Sequence, residues 1–337
     1  SIVRAVLMGI IILTGKIIMR EPDIYTSISA SALIILIINP FIIFDIGFQL
    51  SFGATLSLVM FCPAIKTFIS RIPIPEILAD TLAATLAAQF GVVPITLYYF
   101  NNLSIISIVS NLLVVPMVQI ITIIGFVMVF AGLISINLAV LIGYINNTFL
   151  SFVLFVTEMS SKIPFASVKL PTPPIWSILI YYVGIIYFFM GRKKLSHLPG
   201  INKVKRIVVI LFAVGLLIGK IVPQPIEITF LDVGQGDSAF IKTAHGTKVL
   251  IDGGGREAGS RSSFDVGESV VVPFILDNCT KSIDIVIASH GHSDHTEGLE
   301  AVLEETRVGM LILPDTNGDG FEKLKNICTS KGIKITL

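Results

Sequence analysis

Between Ser289 and Thr296 the chain reads Ser-His-Gly-His-Ser-Asp-His-Thr, so three histidines and one aspartate fall within six residues. Imidazole and carboxylate are the ligands that a catalytic zinc takes when one coordination position is kept open for water. His290 and His292, two residues apart, can reach one ion from a sharp loop. Asp294 and His295 then point elsewhere and can serve a second ion. Two ions roughly 3.5–4 Å apart clamp both oxygens of a phosphoryl displacement and lower the pKa of a bridging water. The chemistry suited to this stretch is metal-assisted hydrolysis. A polar loop with merely exposed histidines explains the concentration poorly.

Such a loop needs rigid elements on both sides. Ile283 to Ala288 is a mostly apolar run that reads as a buried strand, spoiled only by Asp284. Thr296 to Thr306 has helical composition, with four glutamates set around Leu299, Val302 and Leu303. The histidines therefore sit where a strand hands over to a helix, and helix-end N–H groups there can bind an anion such as phosphate. Upstream, the pattern predicts strands over Ile226–Leu231, Ser238–Thr243 and Lys248–Asp252, with a hairpin at His245-Gly246. Asp252-Gly253-Gly254-Gly255 follows as a loop that lets backbone approach a ligand closely. Residues 256–268 are polar and Gly/Ser-rich, as expected of a flexible loop over the site. Asp315 to Gly320 resembles a calcium loop only superficially, because Asn326 stands where the bidentate glutamate belongs.

His290-Gly291-His292-Ser293-Asp294-His295 resembles the HxHxDH motif of the metallo-β-lactamase fold. Leu231-Asp232-Val233-Gly234-Gln235-Gly236-Asp237-Ser238 and Leu250-Ile251-Asp252-Gly253-Gly254 resemble that fold's opening strands, in the form attached to ComEC-type DNA-internalisation (competence) channels. The resemblance implies one metal on His290 and His292 and a second on Asp294 and His295. It makes Asp252 the aspartate near the metals that is not usually a direct ligand, and it assigns the catalytic carboxylates to Asp252 and Asp294. The implied cofactors are two divalent ions, zinc or manganese. The later histidine and aspartate ligands of the fold are missing, so the two-metal site is incomplete in this stretch. The chain starts without methionine and stops on a strand-like run, as expected of a piece of something longer.

The rest of the chain is solvated differently. It is 53% apolar and 14% charged, with a mean hydropathy of +0.87, which no ordinary soluble protein shows. Residues 1–225 hold 14 Lys/Arg against 6 Asp/Glu, and residues 226–337 hold 10 against 17, a balance of +8 followed by −7. The expected organisation is a polytopic α-helical membrane bundle over 1–222, then the N-terminal part of an αββα metallo-β-lactamase-like domain over 226–337, with the boundary at Pro223-Gln224-Pro225. Cys62, Cys279 and Cys328 match no metal spacing and form no even framework.

A span takes about 20 apolar residues. Candidates are Ala5–Met19, Tyr25–Ile38, Phe41–Cys62, Ile77–Phe100, Ser104–Leu133, Leu138–Thr157, Pro174–Met190 and Ile207–Val222. Ser104–Leu133 carries Pro116 and can be two half-helices. Ile65, Phe68, Ile69 and Ile72 form an apolar stripe suited to a short helix lying in the interface. Lys and Arg gather in Gly191–Arg206, at Arg20 and at Lys66/Arg71, which places those loops in the cytoplasm. One further crossing by Ile207–Val222 puts the histidine domain outside it.

Asp45, Gln49, Gln89, Asn111 and Gln119 lie within or beside these spans, several next to Pro or Gly. They are candidates to line a hydrated path, and hydrogen bonding between helices is an equal alternative for the amides. Asp45 is expected at the outer mouth or on a backbone donor. The segment from Arg4 to Phe52, with Asn39-Pro40 and Gly47-Phe48-Gln49-Leu50-Ser51-Phe52, also resembles the competence channel core. The function implied is uptake of transforming single-stranded DNA through the cell membrane, with an extracytoplasmic metal-dependent phosphodiesterase that degrades the strand left outside. The implied partners are single- and double-stranded DNA, membrane lipid, a DNA receptor, an uptake motor and further copies of the chain. Two alternatives stand beside it. One is a membrane-anchored metallohydrolase of a small ester or phosphoester; the other is a channel whose metal domain only binds DNA. The −7 balance of residues 226–337 counts against nucleic acid, which usually meets a basic face.

Overall fold

A computed structural model describes residues 2–17, 23–189, 225–234, 236–255, 264–278, 281–315 and 319–337. The cationic loop 191–206, the span expected at 207–222 and most of the polar loop at 256–268 lie outside these described residues. The chain divides into two compact units, residues 1–168 with 180–189 and residues 169–179 with 190–337.

The first unit is helical: α1 (Ile2–Ile17), α2 (Ile24–Ile38), α3 (Ile46–Ile69), α4 (Glu76–Phe100), α5 (Ser107–Ile134), α6 (Ile136–Ser161) and the later part of α7 (Ile175–Phe189). Two short strands, β1 (Asn102–Ser104) and β2 (Ser167–Lys169), pair with each other. Helices α3, α4, α5 and α6 are each long and apolar enough to cross a membrane, and α2 and α7 are shorter apolar helices. Short polar residues start α2 and α3 by capping orphan N–H groups. Asp23 accepts from Thr26 N–H at 2.9 Å before α2, and Asp45 accepts from Phe48 N–H at 2.7 Å before α3.

Small residues set the α3–α4 crossing. Ala83 and Ala87 are wholly buried, and a Cβ on Gly91 would overlap Ser57 and lie 2.5 Å from the Gly53 carbonyl. Close backbone approach of this kind supplies the packing that lipid-embedded helices rely on, since lipid gives them no hydrophobic drive to associate. Three residues on, Pro94 lacks the N–H that would serve the Phe90 carbonyl. The Tyr181 hydroxyl of α7 donates to that carbonyl at 3.1 Å, and Tyr182 donates to the Gly91 carbonyl at 2.8 Å.

Two expectations change here. The stripe at Ile65–Ile72 is not a separate interfacial helix, because α3 runs through Pro63 to Ile69. Ile65 and Ile69 continue the buried stripe of Phe61 against α4, while Phe68 and Ile72 stay exposed. Pro116 likewise leaves α5 as one helix.

The second unit is built on a six-stranded sheet in the order β3-β4-β5-β6-β7-β8. The strands are β3 (Glu227–Phe230), β4 (Ala239–Lys242), β5 (Lys248–Ile251), β6 (Ser282–Ile287), β7 (Arg307–Ile312) and β8 (Lys334–Thr336). The first two pairings are antiparallel and the last three parallel. Helices α8 (Val272–Asp277), α9 (Ser293–Glu305) and α10 (Asp319–Lys331) make the crossovers between successive parallel strands. Right-handed crossovers taken in one direction stack all three on one face. The core follows from that arrangement: Phe240, Leu250, Val286 and Leu311 are buried beneath Ile275, Leu299, Leu303 and Leu324. On the other face Ile228 and Phe230 are 57% and 81% exposed, with Ile241, Ile251 and Ile285 half-buried. Asp284, the discordant residue of β6, accepts from the Lys248 N–H at 2.7 Å and so fixes where β5 begins. Residues 169–179 share this unit, with Thr172 N–H donating to the Leu276 carbonyl at 2.9 Å.

Candidate metal centre

The histidine loop leaves the carboxyl end of β6, where parallel strands of an open sheet present their ligand-binding loops. β6 is anchored on both sides there, since Asp252 N–H donates to the Ile287 carbonyl at 2.9 Å and Ala288 N–H to the Ile312 carbonyl at 3.1 Å. His292 is the N-cap of α9, and its carbonyl accepts from both His295 and Thr296 N–H. A strand that hands over through residues 288–292 to a helix thus aims His290, His292, Asp294 and His295 at one region.

Glycines bring the upstream motifs against this turn. Gly236, at φ +83°, packs on the Asp294 backbone so closely that a Cβ would overlap its carbonyl. Gly255 meets the Ser293 carbonyl in the same way. Backbone bonds close the cradle, with Gly253 N–H donating to His295 O at 2.9 Å and Gly298 N–H to Gly254 O at 3.0 Å.

Asp252 is the buried anchor of the site, 4% exposed and held at φ +56°. Asp tolerates this left-handed region better than most residues, at a cost of about 1 kcal/mol. Its backbone is clamped by Ile287 and by the Ser238 hydroxyl, which donates to the Asp252 carbonyl at 2.9 Å. Its carboxylate accepts Ser289 N–H on Oδ1 at 2.7 Å, and on Oδ2 it meets Ser289 Oγ at 2.5 Å and His295 Nδ1 at 3.0 Å.

Among the described residues, two groups bring ligand atoms within 4.8 Å of one another: His290, His292 and Asp294, and Asp252, His290 and His295. The two-nitrogen, one-carboxylate set of the first suits a divalent ion with N/O preference. In the second, the Asp252 oxygens are already committed to three donors, and its contact with His295 is a direct hydrogen bond. The first group joins His290 and His292 to Asp294, whereas the sequence pairs Asp294 with His295. Asp294 Oδ2 also lies 3.6 Å from His295 Nε2, which places it between the two sets.

The amides and acid expected along a pore lie in the first unit. Asp45 caps α3, Gln49 Nε2 donates to the Ile43 carbonyl at 3.0 Å, and Gln89 Nε2 donates to Ser107 Oγ at 2.7 Å. Asn111 is half-buried and Gln119 exposed, both on α5. Ser289 is the residue that sequence reasoning left without a role. Its signal was its place, a hydroxyl directly before the first histidine.

Residues 1–195 match the family described as Competence protein, which is more than half of the chain. The chain belongs to the competence protein family. Residues 231–328 match the metallo-beta-lactamase superfamily, which implies divalent-metal binding at the centre just described. The chain is 29% identical over 332 residues to ComE operon protein 3 of Bacillus subtilis (strain 168), covering 93% of itself and 41% of that relative. It thus spans less than half of the relative's length. The recognition of a competence-type membrane protein with a lactamase-superfamily domain is borne out on both segments.

Proposed function

We propose that this chain forms part of a membrane channel for single-stranded DNA, with a metal-dependent phosphodiesterase centre on the extracytoplasmic side. The observation that carries the reading is the joining of two parts in one chain of the competence family. One is a bundle with four membrane-capable helices among the described residues, and the other is a strand-to-helix loop that gathers His290, His292 and Asp294 within 4.8 Å. Metal bound there would polarise a phosphoryl oxygen and supply hydroxide at neutral pH. The protein's own part is to hold the imidazoles and carboxylate in place through Asp252 and to keep the ligand loop rigid through its glycine contacts. The placement outside the cytoplasm is supported by the cationic residues at Arg20, Lys66, Arg71 and 191–206, which mark the opposite side. DNA, a receptor, an uptake motor and further copies of the chain are the partners this reading requires.

One observation favours a second reading, a membrane-anchored hydrolase of a small phosphoester. The −7 balance of residues 226–337 gives little attraction to a polyanion. Two measurements on the full-length protein separate the readings: cleavage of DNA with zinc or manganese present, and entry of labelled DNA into cells carrying His292→Ala. Cleavage lost with His292 and uptake dependent on the protein support the channel. Hydrolysis of small phosphodiesters without action on DNA, and uptake unaffected by deletion of the protein, would establish the anchored hydrolase.

A further inference from the structure

Ser289 carries a hydroxyl that touches both the buried carboxylate and the first histidine of the motif. Its Oγ lies 2.5 Å from Asp252 Oδ2 and 2.8 Å from His290 Nδ1. A hydroxyl has one proton to give. The 2.5 Å separation from a carboxylate is that of a charge-assisted O–H···O⁻ bond. Two bare oxygens at that distance would repel, so the Ser289 proton belongs to Asp252. Toward His290 the hydroxyl can then only accept, and Nδ1 of His290 must carry the hydrogen. The same Oδ2 faces His295 Nδ1 at 3.0 Å, and a carboxylate also only accepts, so His295 holds its hydrogen on Nδ1 too.

We infer that Ser289 is a positioning residue that relays the Asp252 carboxylate to His290, so that one buried aspartate fixes the tautomer of two histidines and presents both Nε2 lone pairs for a divalent metal. The inference rests on the metal reading of this centre. Ring geometry agrees with a shared anchor: the His290 and His295 rings lie with centroids 3.8 Å apart, while His292 meets His290 edge-on at 5.0 Å and takes no part in the relay. Backbone and side chain of Ser289 act separately, because its N–H holds Asp252 Oδ1 whatever the side chain is. Removing the hydroxyl therefore frees the His290 ring and leaves Asp252 bonded to the loop. This is the outer-shell role that fixes ring orientation and ligand basicity in metal-binding histidines.

The test uses the full chain reconstituted in lipid, with Ser289→Ala and Ser289→Thr, and needs two readouts. Nitrogen-15 spectra of histidine-labelled, metal-free protein resolve the tautomers of its five histidines. Ser289→Ala should lose one Nδ1–H ring relative to the parent, and Ser289→Thr should keep it. Zinc affinity, measured by competition with a chromophoric chelator, should fall about 10- to 100-fold in Ser289→Ala and recover in Ser289→Thr. An alanine variant with the parent's tautomers and the parent's affinity overturns the relay, as does a threonine variant as weak as alanine. A parent that binds neither zinc nor manganese overturns the metal reading instead, and the tautomer spectra still decide whether the relay exists.

Discussion

Gly91 offers the sharpest test of the helical unit, because three glycines in it meet graded surroundings. A Cβ on Gly91 would overlap the Ser57 side chain and come within 2.5 Å of the Gly53 carbonyl. Ser57 can rotate its hydroxyl away, but the carbonyl belongs to the α3 backbone. Restoring an ordinary carbon–oxygen contact would require the helices to part by about 1 Å, and dispersion forfeits a quarter to a half of its well over such a gap. Overpacking of this kind costs about 1–3 kcal/mol, less about 1 kcal/mol that alanine returns in helix propensity. Gly91→Ala should therefore lose up to about 2 kcal/mol. A Cβ on Gly53 would meet the Gly91 carbonyl and Ile95 at 3.4 Å, so Gly53→Ala should be nearly neutral. Gly184 of α7 has nothing within 4 Å, and Gly184→Ala should gain about 0.5–1 kcal/mol. Loss of helical signal on titration with a denaturing detergent gives all three values on one scale. A Gly91→Ala protein as stable as Gly184→Ala would refute the α3–α4 crossing.

Tyr181→Phe removes the donor to a carbonyl that Pro94 cannot serve, whereas the Gly91 carbonyl freed by Tyr182→Phe still has Ile95 N–H within its own helix. The same titration should show the first change costing about 1–3 kcal/mol and the second under about 1. His292→Ala and Asp294→Ala should each abolish metal binding by the full-length protein, read by elemental analysis against about two ions in the parent; retention of both ions would remove these residues from the ligand set. In a protein lacking Cys62 and Cys279, a cysteine replacing exposed Asn326 should react with an impermeant thiol reagent on intact cells, and one replacing exposed Ser70 should not. Cys328 can stay, because burial leaves it inaccessible and pushes its thiol pKa up; the reverse pattern would put the metal centre in the cytoplasm.

The metal loop was legible because its chemistry is local. A run of ligands between an apolar strand and an amphipathic helix leaves little choice, and β6, the loop and α9 stand within a few residues of where the pattern puts them. The strands around Ser238 and Lys248 and the turn at Gly246 were legible for the same reason. What could not be read is what depends on contacts distant in sequence. Gly236 looks like a turn residue, and only the fold shows that it leans on Asp294, 58 positions away. The apolar stripe at Ile65–Ile72 has the spacing of an interfacial helix, and only α4 decides that Ile65 and Ile69 are core. Asp252 stood out as the end of a strand, but its three simultaneous bonds come from residues 37 and 43 positions downstream.

The same distinction bears on how a polyanion would cross the bundle. An amide that lines a water-filled path must be free to hydrate, whereas one that joins helices must not be. Gln89 bridges α4 to Ser107 at the start of α5, and Gln49 closes the turn ahead of α3 on the Ile43 carbonyl. Asp45 spends its carboxylate on the first turn of α3, which also keeps a negative charge at a helix N-terminus where the macrodipole favours it. These three side chains therefore hold structure, and their loss would weaken the bundle whether or not it conducts. Asn111 and Gln119 stand differently, two turns apart on α5, a helix on which, among the described residues, Ala131 is the sole buried side chain. Gln119 is exposed, and so are its neighbours Val118 and Ile120. An exposed amide among exposed aliphatics at membrane depth is costly in lipid and cheap beside water. A hydrated path along α5 would relieve that cost, and among the five expected pore residues it is on Asn111 and Gln119 that the physical case for such a path rests.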